Sequence, residues 1–292
     1  MKPFIEAAHD LLNPWYTPRE INRICRLLLE KRAGLQATSF YADKDTKIPS
    51  SVRSTLQEDI QRLAAQEPLE YVLGEAHFDG LVLKVDKRVL IPRPETEELV
   101  DWISKEAEAT GVTPTRILDA CTGSGCIALD MANRWPSATV EAWDVSTDAL
   151  DLARENAERL GLAVTFAQRD VLLAAYQPFT ATPFDLLVSN PPYVRASEAT
   201  QMKPNVLEHE PHLALFVPDD TPLLFYKALA ALGLSVLTPG GHLYVEINAA
   251  LGHDTQHLFE TAGYTAVTLK TDLYDKQRFI RAQVPTSKTI TP

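Results

Sequence analysis

The sequence predicts an α/β fold built on a mostly parallel sheet, and three observations carry that prediction. From about Thr115 to near Val284, short apolar runs alternate with helical patterns, as strands joined by crossover helices do. One junction is explicit: Arg116-Ile117-Leu118 runs into the small-residue stretch Asp119 to Gly125, then into a helical pattern carrying Ile127, Ala128, Leu129 and Met131. The stretch up to about Leu73 holds helical periodicity instead, so a small helical bundle precedes the α/β body.

Taken in order, a first helix is expected over Phe4 to Leu12. The second is entered through Thr17-Pro18-Arg19-Glu20, where Thr17 caps, Pro18 takes the first helical position and Glu20 closes a capping box. Ile21, Ile24, Leu27 and Leu28 keep helical period until Gly34 stops it. A third helix is predicted from about Val52 to Ala65, capped by Ser50 or Ser51, with Leu56, Ile60 and Leu63 on one face. These helices, residues 1–73, hold no catalytic constellation and are read as a recognition bundle. A connector follows over 74–92, in which Asp79-Gly80 between Ala76-His77-Phe78 and Leu81-Val82-Leu83 predicts a β-hairpin. Leu90 to Glu97 is expected to be a stiff, proline-bounded loop before a helix through Leu99, Val100 and Ile103. The α/β domain spans 93–284, and the polar tail 285–292 is expected to be flexible.

The loop from Cys121 to Gly125 places backbone N–H groups and a helix N-terminus where a ligand can meet them. Gly123 and Gly125 permit close backbone approach, although a tight turn with no ligand would use the same residues. The next apolar run ends in Asp144, roughly 20 residues beyond the glycine loop, the offset at which an acid can grip ribose hydroxyls. A strand-end Asp can equally be a helix N-cap; here Ser146 or Thr147 is the better candidate, leaving Asp144 free. Asp170, after the run Ala163 to Ala167, could accept from an adenine amino group or be one more loop carboxylate.

Downstream, Asn190-Pro191-Pro192-Tyr193 closes the strand-like run Phe184 to Ser189. An amide oxygen beside a proline-fixed carbonyl can hold a planar NH2 group by both hydrogens, which suits methylation of an amide or exocyclic amine nitrogen. Asn-Pro and Pro-Pro are also ordinary turn dipeptides. The two motifs together are far harder to obtain by chance than either alone.

Composition narrows the classes. The chain has 292 residues, 45% apolar and 23% charged, enough for two domains of an ordinary globular protein. No apolar run approaches the roughly 20 residues of a membrane span; the longest, Ala228 to Leu237, is broken by Gly233 and Ser235. The N-terminus Met1 to Glu6 carries an early acid and no cleavage-like region, so cytoplasmic residence is the default expectation. A net charge of −11 argues against a broad nucleic-acid surface and leaves room for a basic protein partner. His209-Glu210-Pro211-His212 lacks helical zinc spacing and contains a proline, so a loop without metal is expected. Cys25, Cys121 and Cys126 show no paired spacing; Cys25 reads as core, and small size explains the other two.

On these residues the chain resembles the PrmC/HemK family of S-adenosylmethionine-dependent methyltransferases, which act on a glutamine of class 1 peptide chain release factors. The resemblance covers nearly the whole chain. It rests on Pro68 to Gly74, Leu90 to Glu97, Asp119 to Gly125, Asn190 to Tyr193, Glu210-Pro211 with Ala214-Leu215, and Pro239-Gly240-Gly241 before Glu246-Ile247. Arg93-Pro94-Glu95-Thr96-Glu97 is the most discriminating stretch, favouring release-factor enzymes over ribosomal-protein glutamine methyltransferases. The resemblance implies a class I, Rossmann-like methyltransferase fold with a seven-stranded sheet, S-adenosyl-L-methionine as donor and S-adenosyl-L-homocysteine as product. It implies a cofactor site at Asp119, Cys121, Thr122, Gly123, Ser124, Gly125, Asp144, Asp170, Val171 and Asn190. Substrate binding falls to Arg93, Pro94, Glu95 and Thr96 with Asn190, Pro191, Pro192 and Tyr193, the last four also being catalytic. In that picture Pro192 and Tyr193 wall the pocket, no metal or essential general base is needed, the bundle grips the release factor, and a monomer is expected.

The chain departs from the family pattern where Cys121 and Asp275 replace a usual glycine and Val171 replaces an aromatic residue. Besides ribosomal-protein glutamine methylation, an adenine or cytosine amino methyltransferase would share the Asn-Pro-Pro-Tyr chemistry but needs a basic groove. A non-catalytic adaptor on the same fold is at odds with the intact tetrapeptide.

Overall fold

The computed structural model describes residues 1–42 and 47–286. Two compact units divide the chain: Met1–Glu75 with Lys203–His209, and Ala76–Met202 with Glu210–Pro292. The short segment Lys203–His209 grouped with the first unit has no counterpart in a linear division of the sequence. Of the tail expected to be flexible, residues 287–292 lie outside the described residues.

The first unit comprises α1 (Lys2–Leu12), α2 (Pro18–Ala33), α3 (Ala37–Ala42), α4 (Arg53–Ala64) and α5 (Leu69–Leu73). Its core is Leu12, Ile21, Leu28, Leu56 and Leu63, the apolar faces read from periodicity. The capping box of α2 is present: the Glu20 amide donates to the Thr17 hydroxyl at 3.4 Å and the Thr17 amide to the Glu20 carboxylate at 2.7 Å. Gly34 ends this helix at φ 65°. The expected cap on α4 is not formed, because Ser50 and Ser51 are taken up in a 3-10 turn, Ser50–Val52, and no side chain caps the helix behind it. Sequence patterning missed α3, α5 and an ion pair that binds three helices. Arg32 donates through Nε and Nη2 to the buried Asp59 carboxylate at 2.8 and 3.2 Å, and through Nη2 to the Val72 carbonyl at 2.6 Å.

The predicted hairpin, β1 (Glu75–Phe78) and β2 (Leu81–Lys84), follows, and from Ala76 on it belongs to the second unit. Asp79 and Gly80 both have positive φ, 43° and 80°, the geometry whose twist matches the flanking strands. The helix α6 (Pro94–Thr110) begins earlier than expected. Arg93 holds the N-cap position and Pro94 the first turn, where proline's missing N–H costs nothing, so only Leu90 to Arg93 remains loop.

The alternation then runs β3 (Arg116–Ala120), α7 (Cys126–Arg134), β4 (Thr139–Asp144), α8 (Thr147–Leu160), β5 (Val164–Gln168), α9 (Val171–Ala174) and β6 (Phe184–Ser189). It continues through α10 (Leu224–Val236), β7 (Leu237–Glu246), α11 (Gly252–Thr261), β8 (Thr265–Thr271) and β9 (Gln277–Gln283). They form one seven-stranded sheet in the order β8-β9-β7-β6-β3-β4-β5, parallel except where β9 pairs antiparallel with β7 and β8. Neighbouring residues face opposite sides. Leu118 and Leu187 join Trp143, Phe184, Tyr226 and Phe259 in one buried layer, while Ile117, Leu186 and Val188 join Leu129, Met131 and Trp102 in the other. Gly233, which breaks the longest apolar run, lies in α10, where a Cβ would come 2.2 Å from the Tyr264 hydroxyl. No helix among the described residues is long and apolar enough to cross a membrane.

The strand order reverses between β3 and β6, the place where open parallel sheets bind ligands. Register brings four chain segments to that edge: Ala120 pairs with both Trp143 and Ser189, and Ser189 with Val245. Cys121, Asp144, Asn190 and Glu246 therefore leave their strands side by side.

Arg32→Met should destabilise the first unit by about 2 to 3 kcal/mol, because the buried Asp59 carboxylate loses its partner while the guanidinium it replaces is partly wet. Guanidinium denaturation checks this, and an unchanged midpoint would show that the pair does not contribute.

Candidate active site

The loop after β3 is anchored by its own backbone: the Thr122 amide donates to the Trp143 carbonyl and the Gly125 amide to the Thr122 carbonyl, both at 2.9 Å. Cys121, Gly123 and Gly125 all have positive φ, 64°, 55° and 83°. A Cβ on Gly125 would press on Ala153 and Leu129 at 3.2 Å, so this glycine serves helix packing, whereas Gly123 faces open space. Cys121 bears a Cβ in the left-handed region, a cost of about 1 to 2 kcal/mol. Desolvation and the charges of Asp144 and Asp119 push its thiol pKa far up, and burial raises that of Cys126 to about 12, which disfavours the thiolate at both.

Asp144 is left out of the cap on α8, as expected, but it is tied locally by backbone amides. Its two oxygens accept from the Gly123 amide and the Ser146 amide, each at 2.9 Å, joining the β3 loop to the end of β4. Ser146 caps α8 as predicted, accepting from the Ala149 amide at 3.2 Å. Each Asp144 oxygen retains a lone pair for a hydroxyl donor. Partial burial raises its pKa, and the amide donors oppose that rise. Asp119 is fully buried behind the loop, accepting from the Thr122 hydroxyl at 2.5 Å and the Ala128 amide at 3.1 Å through one oxygen. Its other oxygen has no hydrogen-bond partner. Burial pushes its pKa up to about 7. Asp170 caps α9, accepting from the Leu172 amide at 2.8 Å, so one of its oxygens is committed locally.

At the end of β6, Asn190 turns its side-chain nitrogen to the Thr96 hydroxyl at 3.0 Å. Thr96 in turn donates to Glu246 Oε2 at 2.7 Å, and Tyr193 Oη to Glu246 Oε1 at 2.9 Å. Thr96 is thus directed at Asn190 and Glu246. Tyr193 packs against the sheet core and holds the same carboxylate, which ties it to Thr96 and Asn190. Arg93 donates to the buried Glu210 at 2.5 Å, and the Ile91 amide to the same carboxylate at 3.1 Å, which fixes the loop before α6.

These segments enclose one cavity, mostly apolar with a few convergent polar groups, as ligand sites are. Of the expected residues it is lined by Arg93, Thr96, Cys121 to Ser124, Asp144, Asp170, Val171, Asn190 and Pro192. Asp119, Gly125, Pro191, Tyr193, Pro94 and Glu95 stand outside the lining. Sequence reasoning assigned no role to Glu246, nor to Arg169, which lies over the Trp143 ring at 4.9 Å and lines the cavity with Phe225. Among the described residues no group of His, Cys, Asp and Glu could hold a metal ion.

Two family models match the chain: the PrmC N-terminal domain over residues 8–74 and the methyltransferase small domain over 96–211. A release factor glutamine methyltransferase of Bacteroides thetaiotaomicron is 43% identical over 267 residues, covering 91% of this chain and 94% of its own length. One from Flavobacterium psychrophilum is 40% identical over 279 residues, 95% of each chain. The chain belongs to the release factor glutamine methyltransferase family. Among solved structures, the 16S rRNA methyltransferase RsmC of Thermus thermophilus, in complex with AdoMet and guanosine, matches with a TM-score of 0.51 at 17% identity. It covers 72% of this chain and 49% of its own and shares the fold. Within the family pattern, the two glycine replacements both fall at positive φ, 64° at Cys121 and 59° at Asp275. At the second, Asp272 Oδ1 accepts from the Tyr274 and Lys276 amides at 2.9 and 3.0 Å, which holds the turn without a glycine.

Because the folded pKa of Asp119 lies above the ordinary carboxylate value, the native state binds the extra proton between about pH 4 and 7. Its contribution to stability is therefore greatest at the acid end of that window and falls as pH rises through it. Asp119→Asn, which copies the protonated carboxyl, should gain stability relative to wild type between pH 4 and 7; parallel melting curves across that range would contradict the assignment.

Proposed function

We propose that this protein transfers a methyl group from S-adenosylmethionine to the side-chain amide nitrogen of the glutamine in the Gly-Gly-Gln motif of class 1 peptide chain release factors. The observation that carries the reading is the Asn190 carboxamide, held by its nitrogen so that its oxygen is left for an acceptor, at the edge shared with the glycine loop and Asp144. The residues present fit the donor. Asp144 can take ribose hydroxyls, the loop from Cys121 to Ser124 offers backbone to the amino-acid portion, and Val171 with Leu172 provides an apolar face for the base. When bound, S-adenosylmethionine supplies a methyl group already activated on a sulfonium.

The chain's own residues then have a task of orientation. An amide nitrogen is a poor nucleophile because its lone pair is delocalised into the carbonyl. Asn190 Oδ1 and the Pro191 carbonyl would accept its two hydrogens and aim the nitrogen, and both bonds strengthen as the nitrogen becomes cationic. Buried Pro192 excludes water from one side. No general base is required, since a methylated amide nitrogen is acidic enough to lose its proton to water. The bundle of the first unit would bind the release factor, and the matches to the release factor glutamine methyltransferases over both units support that substrate.

Asn190→Ala should lower kcat by about 10²- to 10³-fold, the scale for one transition-state hydrogen-bond partner, with S-adenosylmethionine affinity changed far less. Asp144→Ala should do the reverse, weakening calorimetric affinity by about 1.5 to 3 kcal/mol. Near-normal turnover in the Asn190 variant would remove it from the reaction.

A further inference from the structure

We propose that Thr96 and Glu246 are positioning residues that fix which end of the Asn190 carboxamide faces the acceptor amide, an inference that rests on the methyl-transfer reading above. A carboxamide can reverse about its last bond, exchanging an oxygen acceptor for an NH2 donor at nearly the same position. One arrangement receives the acceptor's NH2 group and the other repels it. Something must choose between them.

The choice follows from hydrogen counting. Glu246 is 1% exposed, and its carboxylate has no hydrogen to give. Thr96 Oγ1 lies 2.7 Å from Glu246 Oε2, so the hydroxyl hydrogen must point there. Only lone pairs of Thr96 then remain for Asn190, 3.0 Å away, and the carboxamide must turn its NH2 to Thr96 and its Oδ1 to the other side. The carboxylate cannot swing away, because Tyr193 Oη holds its second oxygen at 2.9 Å. Burial and, less, the charge of Glu95 raise the Glu246 pKa, and the Thr96 and Tyr193 hydroxyls and the charge of Arg278 oppose that rise. Thr96 is itself 2% exposed, which leaves water little room to take either place.

The test compares Thr96→Ser, Thr96→Val and Glu246→Gln with wild type. Thr96→Val keeps the shape and removes the hydroxyl. Glu246→Gln also keeps the shape, but its NH2 can donate to Thr96, whose hydroxyl can then turn to Asn190 and let the carboxamide reverse. Methyl transfer to release factor should fall about 10²-fold in kcat for Thr96→Val and Glu246→Gln, the scale of a misplaced reacting group. Thr96→Ser should stay within about threefold of wild type, and calorimetric affinity for S-adenosylhomocysteine should shift by no more than about threefold in all three. Wild-type kcat in Thr96→Val, or a Thr96→Ser variant as slow as Thr96→Val, would overturn the proposal. Hydrogen exchange of the Asn190 side-chain amide decides the same point without turnover. Protection in wild type and Thr96→Ser, lost in Glu246→Gln, is expected; equal exchange in all would overturn it. If wild type transfers no methyl group, the reading of the reaction fails while the exchange result still judges the positioning.

Discussion

A buried carboxylate must have donors brought to it, and Glu246 at the end of β7 imposes that demand on everything around it. Thr96 from the first turn of α6 and Tyr193 from the loop after β6 meet it from two directions. The sheet makes the meeting possible, since Ser189 and Val245 are register partners and place Asn190 beside Glu246. Helix α6 can reach them because it starts at Pro94, directly behind an Arg93 that Glu210 holds in place. Residues separated by most of the domain in sequence thus share one small polar network inside an otherwise apolar sheet edge.

The other half of the cavity is organised by two further carboxylates. Asp119 and Asp144 both have pKa values raised by burial, and both are met by backbone amides of the glycine loop and its neighbours. Of the two only Asp144 lines the cavity, while Asp119 lies fully buried behind the loop and ties it to the start of α7. Cys121 holds a positive φ that glycine would adopt freely, between a Thr122 amide bonded to the Trp143 carbonyl and an Ala120 carbonyl bonded to the Ser189 hydroxyl.

Much of this was legible in the sequence wherever local chemistry decides the outcome. The capping box at Thr17 and Glu20, the Asp79-Gly80 turn and the strand ends before Cys121, Asp144 and Asn190 each depend on neighbours a few residues away. Where the answer depends on distant partners, the sequence is silent. Arg32 with Asp59, and Thr96 with Glu246, leave no periodic trace because their partners lie far along the chain. Nothing in the spacing of Asp144 and Asp170 reveals the backbone amides they accept from. Ser50 and Ser51 have the right chemistry for a cap, and only the 3-10 turn shows that the chain uses them otherwise.

The most direct test of the whole account is methyl transfer from labelled S-adenosylmethionine to a purified class 1 release factor. The same factor with its Gly-Gly-Gln glutamine changed to alanine serves as control, with DNA and ribosomal protein offered as competing acceptors. Label on the unmodified factor alone is the predicted result. Label on the alanine-substituted factor, on DNA or on ribosomal protein would contradict the substrate assigned here, even with the fold and the methyl-transfer chemistry left standing.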